Sequence, residues 1–498
     1  MMRPAPDKRA MRASIQFSSV FASSAAMPRT VTDRQPPLRI IPVLLGMLLV
    51  GGCGALDAVP LPDTNTAPVD ANRFELVARI AHISDAQVVD EESPGRLTAF
   101  AALNASAWRP QERYSLHLLD GMIRAVNAYH TRVAPIDFLI HTGDAVDNAQ
   151  LNEIRWFVDI LDGGTIDPLT GVDDRAPGDR ETRLLDPHVP FEAEGLYRNG
   201  VHGGGATIPW YALVGNHDRY AVGVFPILPL PNGELFAPLP SGLRLGLFAP
   251  TVLVPEGSLA YGPISPARPG PPPQLLLPSW VPANPARRFA TVAELVDLHR
   301  QSVTAPAGHG FTEAGRTWYS FKPVAGLRVV ALDTSMAAFT VPAGVYDFGA
   351  ITAEQVAFLQ SELASAEAAG ELVVVTTHHP SETLSSNLGT ALHAAGLHDL
   401  LNAHPCVVAH LAGHTHRQRL VDRGNYLEFE TAAVIDDPQE GRIIEIWRAG
   451  DAVALRYTVF SHLYEGSAFD GSAEPPGDPY LPMRRVARGL AADHAGVN

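Results

Sequence analysis

Apolar residues along this chain gather into short runs, and run after run stops at polar residues of the same few kinds. Phe74–Ile83 ends at Ser84-Asp85-Ala86-Gln87. Ile136–Ile140 ends at His141-Thr142-Gly143-Asp144, with Asp147 and Asn148 just beyond. Ile208–Val214 ends at Gly215-Asn216-His217-Asp218. Glu371–Thr377 ends at His378-His379-Pro380, and Val407–Leu411 at Gly413-His414-Thr415-His416. Runs this short, rich in β-branched residues and bounded by Gly or Pro, predict buried strands. Thr317–Phe321, Leu327–Leu332, Tyr426–Ala433, Arg442–Trp447 and Val453–Phe460 predict further strands, the last three antiparallel. Between them the period lengthens to that of a helix. Leu116, Leu119, Ile123 and Val126 share one face of a helix over 112–130, and Leu151, Ile154, Val158 and Leu161 do the same in the next. A helix is expected over 291–300. Another opens at Thr352, where Gln355 three residues on makes a capping-box pattern. Strands alternating with helices predict an α/β fold.

Two stretches break the pattern. Residues 162–206 are rich in Gly, Asp and Pro and read as an irregular insertion. Residues 221–290 hold 16 prolines among many leucines, so they form neither regular helix nor central strand. Their Trp280, leucines and valines ask for burial, and the stretch reads as an ordered cap over a site. The last thirty residues show no clear period, so 466–498 is taken as a C-terminal tail after a domain spanning 73–465.

The N-terminus follows another logic. Residues 1–39 carry seven basic and two acidic residues, and an apolar run from Ile40 to Val50 follows. That run is too short to span a bilayer and suits a signal-peptide core. It ends Leu49-Val50-Gly51-Gly52-Cys53, which resembles a bacterial lipobox with Cys53 as the lipidated residue; an ordinary signal peptide ending near a cysteine is the alternative. Residues 1–53 then form the leader, Met27 is a possible start, and 54–72 a flexible tether. The expected location is the bacterial cell envelope, on its periplasmic or extracellular face, with the lipid at Cys53 as the membrane contact. Cys406 is the only other cysteine of the 498 residues, so no disulfide framework is implied. A net charge of −16 argues against a grip on nucleic acid by phosphate neutralisation.

Candidate chemistry lies at the strand ends. Asp85, Asp144, Asn216, His378, His414 and His416 are a mixed oxygen and nitrogen set without thiolate. Such a set suits Mn, Fe, Zn or Co better than Ca. A carboxylate such as Asp144 can bridge two metals, and His414 and His416 can reach neighbouring ones from a single turn. Arg109 and Arg219 are near enough in sequence to reach a phosphate, but each reads more readily as a solvated surface side chain. His309 reads as a turn histidine.

The order Asp-x-x, Gly-Asp-x-x-Asp, Gly-Asn-His-Asp, His-His-Pro, Gly-His-x-His resembles the calcineurin-like metallophosphoesterases over roughly residues 74–460. The resemblance implies a four-layer α/β/β/α sandwich, here with long Pro/Gly-rich loop insertions, and two divalent or mixed-valence transition metals. It implies that Asp85 and His416 hold the first metal, that Asp144 bridges, and that Asn216, His378 and His414 hold the second. His217 would be the catalytic imidazole, held by the Asp147 carboxylate, with a metal-bridging hydroxide as nucleophile. His379 sits beside the ligands in that pattern; His82 and His141 read as structural. One position departs from it: Gln87 stands where the family has histidine. Gln87 would coordinate as a weaker ligand, hold a water, or leave the first metal loosely bound. The implied function is hydrolysis of a small phosphomonoester or phosphodiester. A cyclic-nucleotide phosphodiesterase, a nuclease and a non-catalytic binding lipoprotein on the same scaffold are the alternatives. No nucleophile elbow, P-loop or dinucleotide fingerprint is present.

Overall fold

Alternation along the strands explains the architecture. In Leu327–Ala331, Val329 belongs to the large apolar cluster that also holds Ile80, Leu139 and Ile444, while Val330 belongs to a second cluster with Leu359, Leu363, Leu397 and Leu401. Leu372–Thr376 repeats this, with Val374 in the first cluster and Val373 and Val375 in the second. A strand whose successive side chains are all buried is apolar on both faces, which is why these runs read as continuous rather than alternating. Each Val, Leu or Ile so buried contributes about 1.5–3 kcal/mol.

A computed structural model describes residues 62–93, 108–171, 185–196, 208–229, 235–238, 252–253, 259–260, 279–280, 282–335, 347–385, 390–469 and 478–495. The predicted leader 1–53 lies outside these residues, as does most of the predicted cap. In chain order the main elements are β1 (Glu75–Ile83), α1 (Ser115–Arg132), β2 (Phe138–His141), α2 (Leu151–Asp162), β3 (Trp210–Ala212), α3 (Val292–Gln301), β4 (Tyr319–Phe321) and β5 (Leu327–Ala331). There follow α4 (Ala353–Ala369), β6 (Leu372–Thr376), α5 (Ala394–Asn402), β7 (Val407–Ala412), β8 (Arg419–Asp422), β9 (Leu427–Glu430), β10 (Glu440–Ala449), β11 (Ala452–Ser461) and α6 (Leu481–Ala495).

Two mixed sheets carry the fold. The first has the order β11-β10-β1-β2-β3, with β1, β2 and β3 parallel and β10 and β11 antiparallel at its edge. The second has the order β4-β5-β6-β7-β9-β8, with β5, β6, β7 and β9 parallel and both edge strands antiparallel. Leu119, Ile123 and Phe157 bring α1 and α2 into the large cluster; α4 and α5 pack on the second. Thr291 and Glu294 close a capping box on α3. On α4 only half of the expected box forms. Thr352 Oγ1 accepts from Gln355 N at 3.3 Å, while the Gln355 amide turns to the backbone of Asp333 instead.

Four expectations change. β9 was expected to be antiparallel, but it pairs parallel with β7 and antiparallel with β8, a strand whose Arg419-Leu420-Val421-Asp422 is too short to stand out in the sequence. The C-terminal tail contains α6, whose Met483, Arg484, Ala487 and Ala491 are buried; a cationic residue on the inner face hides the period. Arg484 is fully buried there because Asp478 pairs with it. Residues 62–72 of the predicted tether are not free chain at their start, since Asn65 exchanges backbone hydrogen bonds with Tyr457 of β11. The 162–206 insertion forms a small hairpin, Gly164–Ile166 with Phe191–Ala193.

Candidate metal centre

The parallel strands of both sheets end at one place. Asp85 follows β1 by two residues, Asp144 follows β2 by three and Asn216 follows β3 by four; His378 and His414 each follow β6 and β7 by two. The turns are tight. Asp85, Gln87, Asp144, His414 and His416 all have positive φ, between 38° and 69°, a conformation L residues adopt at a cost. The loops are also pressed together. A methyl group on Gly215 would land on the Asp144 carboxylate, and one on Gly413 would land on Ser84 Oγ and Asp85 Oδ2. Glycine is the residue these close approaches admit. Backbone bonds staple the loops: Asp85 N donates to Gly143 O, Gln87 N to Asp144 O, and Gly413 N to His378 O. Asp218 accepts from Val146 N at 3.0 Å and Gly215 N at 2.8 Å, tying two motifs together.

Around this seam the predicted ligands converge. His378 Nε2 lies 3.0 Å from Asn216 Oδ1 and 3.2 Å from Asp144 Oδ2. His416 Nε2 lies 3.2 Å from Asp85 Oδ1. Ligand atoms of Asp85, Asp144 and His378 fall within 4.8 Å of one another, and so do those of His378, His379 and His414. His379 is therefore closer to a ligand set than its neighbouring role implies. Its Nδ1 meets the Thr334 hydroxyl at 2.8 Å and its buried Nε2 has no hydrogen-bond partner. Gln87 is buried; its Nε2 donates to Asp144 Oδ2 at 3.4 Å and its Oε1 has no partner. A buried amide oxygen left unpaired costs about 1–3 kcal/mol, which a cation there would recover. The donor set and the orphaned oxygen fit a divalent metal pair.

The outer contacts fix which nitrogen of each ring is free. His378 Nδ1 faces Thr142 O at 2.8 Å, and a carbonyl only accepts, so Nδ1 carries a proton and Nε2 is the nitrogen left to face a cation. His416 Nδ1 faces Asp436 Oδ2 at 2.7 Å with the same consequence. Asn216 Nδ2 donates to Gly223 O at 3.0 Å, which turns Oδ1 inward. Burial works against charge on all these groups. Asp144 nonetheless lifts His378 to about 9, and Asp85 with Asp436 lifts His416 to about 10, whereas burial and the neighbouring His378 push His414 down to about 3. Burial pushes Asp144 up, but His378 and His217 outweigh it and hold the carboxyl well below its ordinary range.

Three expectations about the site are corrected. His217 Nδ1 meets the backbone carbonyl of Asp147 at 2.7 Å, while the Asp147 carboxylate stands off at 3.6 Å. That carboxylate is drawn instead to Arg109, 3.1 Å away. Arg109 is not a surface side chain but is 2% exposed. Arg219 is likewise engaged, with Asp333 and Ser335. His309 is buried, stacked on Trp210 at 3.3 Å and remote from the ligand set by role: its Nδ1 faces Trp210 O. Sequence reading missed Asp436. It stands in Asp436-Asp437-Pro438, after a strand that carries no ligand, and nothing in that tripeptide marks it.

A family model described as calcineurin-like phosphoesterase matches residues 78–300. That span holds Asp85, Asp144, Asn216 and His217 and stops before His378, His414 and His416. No curated protein matches the chain. Similar solved structures include a dimetal phosphatase from Danio rerio, 14% identical, with a TM-score of 0.36 over 78% of this chain and 100% of that one. They also include a putative 5'-nucleotidase from Staphylococcus aureus in complex with alpha-ketoglutarate, 14% identical, with a TM-score of 0.23 over 36% of this chain and 34% of that one.

Proposed function

We propose, from the premise that the chain carries a calcineurin-like phosphoesterase domain over residues 78–300 and is a hydrolase of that class, that it hydrolyses a small phosphate ester at a dinuclear metal site in the cell envelope. The observation that carries the reading is the convergence of Asp85 with His416, and of Asp144 with Asn216 and His378, at the seam of two sheets. Asp85 and His416 would hold one metal, Asn216, His378 and His414 the other, with Asp144 shared and Gln87 offering its free oxygen. A bound pair of this kind polarises phosphoryl oxygens and brings the pKa of water near neutrality.

The chain's own residues do the rest. Asp144, buried and held ionised, keeps a full negative charge at the centre. His217 has Nδ1–H committed to the Asp147 carbonyl, so Nε2 is the atom that takes or gives a proton. Through that atom His217 would act as the general acid toward a leaving alkoxide. Asp144 and His378 are themselves buried.

Elemental analysis of the purified protein, paired with hydrolysis of p-nitrophenyl phosphate and its bis-ester with and without Mn, tests this. Near two metals per chain with turnover supports it, and the ratio of the two rates assigns mono- or diesterase. One metal, with activity rising on Mn addition, identifies Gln87 as a weak ligand. Neither metal nor turnover overturns it and leaves a binding module. The envelope address is tested separately by palmitate labelling, which Cys53→Ser abolishes if Cys53 is the anchor.

A further inference from the structure

Two aspartates hold the two imidazoles on which the site depends, Asp436 by its carboxylate and Asp147 by its backbone carbonyl, and one side chain joins their carboxylates. Arg109 Nε donates to Asp436 Oδ2 at 3.0 Å, and Arg109 Nη1 donates to Asp147 Oδ1 at 3.1 Å. Asp436 Oδ2 also accepts from His416 Nδ1 at 2.7 Å, and Gln111 Nε2 donates to its Oδ1 at 2.8 Å. Asp147 faces His217 Nδ1 through its carbonyl at 2.7 Å and its carboxylate at 3.6 Å. The guanidinium is buried, and its Nη2 has no hydrogen-bond partner.

We infer that Arg109 is a positioning residue that couples the metal-ligating His416 to the proton-holding His217, by fixing Asp436 and Asp147 at the two arms of one planar fork. The inference rests on the hydrolase reading above. Its physical basis is the geometry of guanidinium. Asp147 comes from the loop after β2 and Asp436 from the chain after β9, so two elements of different sheets must be held at a set spacing and angle. A guanidinium presents donors in a rigid plane; an ammonium is a point charge on a flexible stem and meets one carboxylate well or two badly. Removing the guanidinium leaves two buried carboxylates without their cation; Asp436 then relaxes away from His416, and Asp147, its side chain no longer anchored, lets the carbonyl that holds His217 shift. A purely structural arginine would lower stability alone. A coupling arginine moves metal affinity and proton transfer together.

The experiment uses the full chain, stripped of metal, with Arg109→Lys and Arg109→Ala beside the unaltered protein. Mn affinity is read by calorimetry, kcat and KM on whichever nitrophenyl ester is turned over, and the imidazole nitrogen signals by histidine-labelled NMR of the metal-free protein. The expected result is Mn affinity lower by about 10–100-fold in Arg109→Lys, the usual size for losing a partner behind a metal ligand. kcat falls more than KM rises, and the signals of His416 and His217 both move. Added guanidinium at concentrations that leave the fold intact restores part of the affinity to Arg109→Ala. Should Arg109→Ala fail to fold, Arg109→Lys carries the test. A lowered melting temperature with unchanged Mn affinity and kcat overturns the coupling. If the unaltered protein neither binds Mn nor turns over ester, the hydrolase reading fails by itself, and the NMR signals alone decide: coupling requires that both imidazoles move.

Discussion

The two halves of the site are made of different chemistry. The first sheet supplies oxygen: Asp85, Asp144, Asn216 and the unpaired amide oxygen of Gln87. The second supplies nitrogen: His378, His414 and His416. The halves also differ in how they are held. The oxygen loops are stapled to one another by backbone hydrogen bonds and by Asp218, contacts that involve no second-sheet residue. The nitrogen side leans on the oxygen side. His378 Nδ1 is fixed by Thr142 O after β2, and His414 N donates to Asp85 Oδ2 at 2.9 Å. The difference teaches that the centre exists only at the seam. On the proposed reading, hard ligands on one half would set the place and softer ligands would complete it from across the gap.

The largest effect should come from the atom both halves share. Asp144→Ala removes the carboxylate that meets His378 Nε2 at 3.2 Å and that accepts from His217 N at 2.8 Å. Metal content should fall to near zero, with turnover lost by well over the roughly 10–100-fold that an outer partner costs. Full metal content in this variant, measured by elemental analysis, would break the claim that the seam is shared. His217→Ala comes next. Its backbone bond to Asp144 survives the substitution and its ring is outside the proposed ligand set, so metal content should hold while kcat falls by about 10²–10⁴. Loss of metal in that variant would mean His217 had been placed in the wrong role.

The oxygen half was the more legible in the sequence. Its residues close three apolar runs, Asp85 and Gln87 sharing one, and glycines flag two of the turns. The nitrogen half was legible in His378, His414 and His416 for the same reason. What escaped was the support behind both. Asp436, Asp218 and Thr334 are common polar residues whose roles arise only when distant strands meet. Arg109 looked like a surface residue because its partners are 38 and 327 positions away. The strands themselves were found, but the parallel pairing of β9 was not, since a run of four residues carries no mark of its partner's direction. The inner face of α6 includes Arg484, whose burial depends on Asp478, and a hydrophobic period cannot register a paired charge.

A subtler effect is expected where the halves touch most closely. Gly413→Ala would place a methyl against Ser84 Oγ and Asp85 Oδ2, forcing the nitrogen loop away from the oxygen half. Overpacking of this kind typically costs about 1–3 kcal/mol. Metal at the Asp85 and His416 side should weaken before metal at Asn216 and His378. A Mn titration that weakens both sides equally would argue that the seam moves as one body rather than hinging at Gly413.

The smallest expected effect concerns what lies behind each half. Behind the first sheet, burial holds His299 down to about 4 and His117 and His309 down to about 3. Around the second sheet one buried ionisable group is Glu428, which burial would push up but which His410 and Arg423 hold well below its ordinary range. Both are groups whose pKa is depressed on folding, so both stabilise at higher pH and are lost as pH falls, but in different windows. An imidazole that titrates near 6.5 when unfolded and near 4 in place contributes in full above 6.5 and loses that contribution between 6.5 and 4. A carboxylate normal at 4.5 and depressed in place begins to lose its contribution only below that. The His299 contribution should therefore be lost before that of Glu428 on acidification. His299→Phe keeps a ring against Phe157 and Phe311 and removes the titration, so the fall in melting temperature between pH 6.5 and 4 should flatten. Glu428→Gln should leave that window unchanged and act below it. If the two substitutions flatten the same window, the halves share one acid response, and the difference between their foundations is not what sets the stability of the seam.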